Sequence, residues 1–276
     1  MKISRSPWYD FRLKAVERCP VHFRTTPSRY PSELILGIFE SIKDLLFPPR
    51  CLTCNLQLDR YRLPLLCESC RCGFAPIVSP LCSCCGLPFP SGRDHLCGDC
   101  LPGKQPFALA RASFYYQQPL VSLILQWKFS HRMTGLATMA TLATQSAVLS
   151  NYTTPDLVLP VPLHKSRLRQ RGFNQALLLA RSCFPLWQNR IVADGLLRIR
   201  ATVPQASLNG VGRRKNLRGA FSLKHPGMVR GKTVLLVDDV LTTGSTVSEC
   251  SRALRAGGAE RVEVFTLARS LLSYRN

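Results

Sequence analysis

Thirteen residues near the C-terminus, Val234 to Thr246 (VLLVDDVLTTGST), constrain the fold more than any other stretch. Val234, Leu235, Leu236 and Val237 form a short apolar run rich in β-branched residues, as in a strand buried on both faces of a parallel sheet. Two carboxylates, Asp238 and Asp239, follow at the C-terminal end of that run, where open α/β sheets bind their ligands. Thr242, Thr243, Gly244, Ser245 and Thr246 come next and lead into a segment with helical spacing. A helix N-terminus offers free backbone N–H groups and a positive dipole end, so this loop reads as a phosphate cradle. A lone TGS would be explained by an ordinary capped turn; the whole ordered run describes a site for a phosphorylated sugar.

The same half of the chain alternates strand and helix patterns. Strands are expected at Ala108–Tyr116, Asp156–Val161, near Leu196–Ile199 and at Arg261–Ala268. Helices are expected through Leu120–Trp127, over Leu136–Leu149, from Gln175, and through Val247, Cys250 and Leu254 up to Gly257-Gly258. Such alternation implies a parallel α/β sheet flanked by helices.

The N-terminal half is organised by cysteine. Of thirteen cysteines, eleven fall at or before Cys100. Cys51-x-x-Cys54, Cys67-x-x-Cys70, Cys82-x-x-Cys85 and Cys97-x-x-Cys100 are separated by 12, 11 and 11 residues. A C-x-x-C turn lets two sulfurs reach one ion, so eight ligands imply two structural Zn²⁺ in closed Cys₄ sites. Few apolar residues lie between the pairs, so metal rather than core burial would hold the segment. Spacing leaves the pairing open: sequential ribbons are simplest, a cross-braced order is second, and Cys72 or Cys84 could shift the register. His95 reads as a bystander. Thiols bound to zinc fit a reducing, cytoplasmic compartment.

These patterns divide the chain into a basic extension with an amphipathic helix (1–47), a double zinc ribbon (48–104) and an α/β domain (105–276). The extension is poorly patterned up to residue 32 and reads as an arm, with a nucleic-acid-binding tail as the second reading. Ser32 to Phe47 then carries a helical apolar face and ends at Pro48-Pro49. No run of eighteen apolar residues suggests a membrane span. The balance of 37 Lys+Arg against 16 Asp+Glu, a net +21, points to anionic partners: phosphorylated small molecules, nucleic acid, or both.

Two basic loops fit such partners. Residues 160–172 carry Lys165, Arg167, Arg169 and Arg171 with no acid among them; residues 201–220 carry Arg213, Arg214, Lys215 and Arg218. Arginine's planar fork suits phosphate oxygens.

With these features in order, the chain resembles type I phosphoribosyltransferases in its VDDVLTTGST motif. Across roughly residues 36–270 it resembles the ComF/GntX family, through the cysteine-rich finger, the helix around Lys128, LPVPLHKSRLRQRGFNQ and a T-x-x-Q-x-x-L-x(4)-R-x-x-N loop. The resemblance implies a type I phosphoribosyltransferase-like sheet with an N-terminal zinc ribbon that binds phosphoribosyl pyrophosphate with Mg²⁺. In that reading Asp238 and Asp239 contact the ribose hydroxyls, directly or through Mg²⁺, and Thr242–Thr246 hold the 5′-phosphate. Lys165, Arg167 and Arg171 meet the pyrophosphate, and Arg213 and Arg214 sit on a flap that closes over it. The family also implies a role in DNA uptake during natural transformation, with single-stranded DNA and the uptake machinery as partners. Two readings stay open: a phosphoribosyltransferase with an unidentified acceptor, and a non-catalytic module that binds single-stranded DNA or senses a nucleotide.

Overall fold

The computed structural model describes residues 48–130, 133–200 and 217–271. The basic arm, the helix expected over 32–47, and Arg213 and Arg214 lie outside the described residues. Contacts separate two compact units. One takes in the described residues up to Ala75 together with Gln118–Gln145; the other comprises Pro76–Gln117 and the chain from Ser146 onward.

The first unit holds the first two cysteine pairs, a short helix α1 (Glu68–Cys72), and helices α2 (Leu120–Ser130) and α3 (Met133–Thr144). Leu120, Leu123, Ile124 and Trp127 repeat at helical spacing, and all four are buried, as are Leu136, Met139 and Leu142 on α3. The Leu65 N–H donates to Thr138 Oγ1 at 3.1 Å, tying the ribbon to α3. Helix α3 stops at Thr144, short of the expected Leu149, and a separate 3₁₀ turn covers Ala147–Asn151. Between them Ser146 is extended, and its hydroxyl donates to Ser113 Oγ of β1 at 3.3 Å.

The second unit is built on four parallel strands in the order β1 (Leu109–Tyr115), β6 (Arg261–Arg269), β5 (Thr233–Leu241) and β2 (Leu157–Pro160), numbered along the chain. β5 lies inside the sheet, pairing Val234 with Val262 on one side and with Leu157 on the other. Its Val234, Leu235, Leu236 and Val237 are all at 0% exposure, as a doubly covered strand requires. Helices α4 (Lys165–Arg171) and α5 (Gln175–Cys183) follow β2, and α6 (Ser245–Ala256) joins β5 to β6. Leu179 and Ala180 of α5, and Val247, Cys250 and Leu254 of α6, are buried against the strands.

Two expectations change. The strand near Leu196 does not join the parallel sheet. As β3 (Leu196–Arg198) it pairs antiparallel with β4 (Phe221–Leu223), just past the 201–220 segment expected to be loop. Only Leu196 of the three is buried, which suits a half-covered two-stranded ribbon. The basic segment 160–172 is likewise not all loop, because Lys165–Arg171 is helical. His164 caps it by accepting from the Ser166 N–H, and Gly172 ends it at φ 76°. No helix among the described residues is long and apolar enough to cross a membrane.

Candidate functional site

The cysteines gather into two groups, Cys51/Cys54/Cys67/Cys70 and Cys82/Cys85/Cys97/Cys100, with the sulfurs of each group within 4.8 Å of one another. Sulfur separations of 3.6 Å for Cys54–Cys67 and 3.7 Å for Cys85–Cys97 match the ~3.8 Å edge of a tetrahedron with ~2.3 Å Zn–S bonds. The donor sets therefore fit two structural zinc ions, paired in sequential ribbons. Cys72 and Cys84 belong to neither group. Nor does His95, whose ring stacks on Phe89 at 3.9 Å.

The second group is joined to the sheet of its own unit. Ala110 N–H of β1 donates to Cys84 O at 2.7 Å. Arg111, buried on β1, reaches Cys82 O at 3.2 Å with Nη1 and Ser83 O at 3.1 Å with Nη2. Arg269, at 2% exposure on β6, donates to Cys85 O at 2.5 Å and places Nη2 3.9 Å from the Cys85 sulfur. Four thiolates on one Zn²⁺ carry a formal −2, and the two buried guanidiniums match it. Neither arginine stands out in the sequence; the available signal was Arg111 inside the strand-like run LARASFY and Arg269 at the end of RVEVFTLAR.

Asp238 and Asp239 lie within β5, not after it as expected. Pairing with β6 continues to Leu241, whereas β2 ends at Pro160 and the last bond on that side runs from Val161 N–H to Val237 O at 2.8 Å. The tip of β5 is thus half released from the sheet, and both aspartates are partly exposed there. Asp238 Oδ1 accepts from the Asp239 N–H at 2.9 Å, and Asp239 Oδ1 from the Val240 N–H at 2.7 Å.

Neighbours along a strand project to opposite faces, and different cations serve the two acids. Arg171 is half-buried on α4. Burial lowers its pKa, the Asp239 carboxylate opposes that shift, and the like charge of Arg167 adds to it. Arg167 and Arg171 share a helix face at i and i+4. Lys165 is exposed at the first residue of α4, about 200° around the axis from Arg167. Arg198 on β3, not foreseen, is the second site cation: burial lowers its pKa, Arg167 adds to the shift, and Cys250 and Asp238 oppose it. Its guanidinium lies 5.5 Å from the Phe221 ring centroid. Recognising Arg198 requires knowing that β3 pairs with β4, which packs on α6, rather than joining the parallel sheet.

Past β5 the chain turns through Thr242 and Thr243 to Gly244, at φ 74°, which opens α6. The left-handed conformation there suits glycine. Thr243 Oγ1 lies 2.8 Å from Ser245 Oγ, and the Ser245 N–H points to Thr243 Oγ1 at 3.4 Å. Thr242, Thr243 and Thr246 are half-exposed and Ser245 is buried, so a hydroxyl-bearing turn and the start of α6 follow the acids within a few residues.

Comparison with known proteins agrees with both halves. Residues 42–101 match the description "Double zinc ribbon domain" and residues 179–275 match "Phosphoribosyl transferase domain". The chain is 36% identical over 239 residues to "DNA utilization protein YhgH" of Salmonella typhi, covering 82% of this chain and all of that protein. It is 33% identical to "Competence protein F" of Haemophilus influenzae (80% of this chain, 97% of the relative). It is 28% identical to "Competence protein ComFC" of Bacillus subtilis (80% and 95%). A solved B. subtilis glutamine phosphoribosylpyrophosphate amidotransferase aligns with 24% identity over 48% of this chain and 25% of its own, at a TM-score of 0.29, too distant to inform the fold.

Proposed function

Because this chain belongs to the ComF family of phosphoribosyltransferase-like proteins, we propose that it binds phosphoribosyl pyrophosphate with Mg²⁺ at the tip of β5 and serves the uptake or use of DNA. The observation that carries the reading is the juxtaposition of Asp238 and Asp239 with Arg171 and Arg198, immediately ahead of a hydroxyl-lined turn that opens a helix. Support for the DNA role comes from the relatives named for DNA utilization and competence, and from the net charge of +21.

In this reading the Thr242–Thr246 turn holds the 5′-phosphate through backbone N–H groups and hydroxyls, and the two aspartates orient the ribose. Their carboxylates are hard oxygen donors of the kind Mg²⁺ selects, and the ion, when bound, supplies charge neutralisation at the pyrophosphate. Arg167 and Arg171 meet the pyrophosphate oxygens, with Arg213 and Arg214 of the 201–220 segment closing over them. If pyrophosphate departs, negative charge builds on it, and these fixed guanidiniums are worth most at that moment.

The test is calorimetric titration of phosphoribosyl pyrophosphate with Mg²⁺ into the zinc-loaded chain. Asp238→Asn and Asp239→Asn are expected to weaken binding at least tenfold while zinc stays at two per chain; no binding by the unaltered chain ends the proposal. Pyrophosphate release across a panel of nucleobases then separates a transferase from a binding module. The second reading, single-stranded DNA binding, is favoured by the excess of 37 basic over 16 acidic residues. It predicts affinity that falls steeply with salt.

A further inference from the structure

The two zinc ribbons carry unlike loops between their cysteine pairs. In the second ribbon the loop closes on itself and on its knuckle. The His95 ring stacks on Phe89 at 3.9 Å, Asp94 Oδ1 accepts from the Leu81 N–H at 2.7 Å, and the Ser83 N–H donates to His95 O at 3.0 Å. In the first ribbon the corresponding loop, Asp59-Arg60-Tyr61-Arg62-Leu63, keeps its side chains in solvent. Tyr61 is 57% exposed and Leu63 39%, and Arg60 and Arg62, on either side of the tyrosine in the chain, are exposed as well. The loop is nevertheless fixed at both ends, by the Leu58 N–H donating to Pro49 O at 2.7 Å and the Leu52 N–H donating to Leu65 O at 3.0 Å.

Zinc ligation uses none of these side chains, and the loop shares no residue with the sugar-phosphate site, which belongs to the other compact unit. Among the described residues neither Arg60 nor Arg62 forms an ion pair, and Asp59 is the single acid from Asn55 to Leu66. An aromatic ring stacks on any unpaired base, and arginine's planar fork suits the phosphates that flank it. Resting on the reading that this chain binds single-stranded DNA, we infer that the 59–63 loop of the first ribbon is a contact surface for the strand. Tyr61 stacks on one unpaired base, and Arg60 and Arg62 take the phosphates on either side. A duplex offers no such base, because its bases are stacked on one another. An acidic peptide would use the arginines alone.

The experiment uses the full zinc-loaded chain, a fluorescently labelled oligothymidylate and a labelled duplex of the same length, with binding read by anisotropy over a series of salt concentrations. Tyr61→Ala is expected to weaken binding of the single strand by about fivefold or more, and to leave duplex binding as it was. Tyr61→Phe keeps the ring and is expected to bind as the wild type does. Arg60→Gln and Arg62→Gln should each make the dependence of log affinity on log salt shallower by about 0.7. Every variant is checked for two zinc per chain and for unchanged phosphoribosyl pyrophosphate binding. A smaller loss for Tyr61→Ala, an equal loss for Tyr61→Phe, or arginine effects without a tyrosine effect overturns the inference, while single-strand binding elsewhere on the chain stands. No binding of the oligothymidylate by the wild type overturns both the inference and the reading it rests on.

Discussion

The two zinc ribbons repeat the same local structure and differ in what surrounds it. In each, the first cysteine N–H donates to a carbonyl five residues on, Cys51 to Leu56 at 2.8 Å and Cys82 to Leu87 at 2.7 Å. The residue after the knuckle closes back on the first cysteine, Asn55 to Cys51 O and Gly86 to Cys82 O, both at 2.9 Å. The outer bonds match too, Leu58 to Pro49 and Phe89 to Pro80. Yet Cys54 is exposed and Cys67 and Cys70 are half-buried in the first ribbon, whereas all four cysteines of the second are buried and join the core around β5 and β6. One motif thus serves as a staple for a small unit, and the other as part of the sheet that carries the candidate site. Metal ligation fixes the knuckle; neighbours decide its role.

The sharpest way to break that contrast is to remove one metal at a time. Cys54→Ser and Cys85→Ser should each lower zinc from two per chain to one. Cys85→Ser is expected to unfold the second ribbon, release Arg269 beside Leu241 at the end of β5, and abolish phosphoribosyl pyrophosphate binding. Cys54→Ser should retain binding within about twofold. Metal analysis with calorimetry reads both, and equal losses of binding would show that the two ribbons are equivalent.

Next in size are the buried arginines. Arg269→Met or Arg111→Met leaves the thiolate-rich second site without one of its compensating cations and strips donors from knuckle carbonyls. Breaking a buried charge pair costs about 3 kcal/mol or more, and at ~2–4 °C per kcal/mol for a unit of this size the melting temperature should drop by about 6–12 °C. The exposed Arg71–Glu68 pair beside the first ribbon (2.7 Å, Glu68 side chain 68% exposed) is the control. Arg71→Met there should cost within about 1 kcal/mol by differential scanning calorimetry.

What the sequence made legible follows from how local each feature is. β5 was readable because four consecutive apolar residues need no partner to declare a doubly buried strand, and the turn after it because Gly244 and its hydroxyl-bearing neighbours are contiguous. The cysteine pairs were readable because both sulfurs of a knuckle come from one turn, although their assignment to two sequential sites needed the fold. Features that depend on distant chain were not readable. Arg198 reaches the site only because β3 pairs with β4, and Arg111 and Arg269 matter only because the sheet sets them under a knuckle some 27 and 184 residues away in sequence. The extent of β5 past its acids was also hidden, since it depends on β6 continuing where β2 stops.

The smallest effect concerns a single position that the two ribbons share. Asn55 and Gly86 occupy the same place after the knuckle, at φ 64° and 67°. The left-handed backbone alone does not demand glycine, because asparagine tolerates it. At Gly86, however, a Cβ would lie 2.5 Å from Ala110 O, a backbone atom of β1 that cannot swing aside. Gly86→Asn therefore keeps the torsion acceptable and isolates the steric contact with the sheet. It is expected to cost about 1–3 kcal/mol as overpacking, seen as a drop of a few degrees in melting temperature. Asn55→Gly removes no strand contact and should stay within about 1 kcal/mol, its cost being the added freedom of the unfolded chain. Equal shifts for the two substitutions would mean that the second knuckle is no more tightly seated than the first.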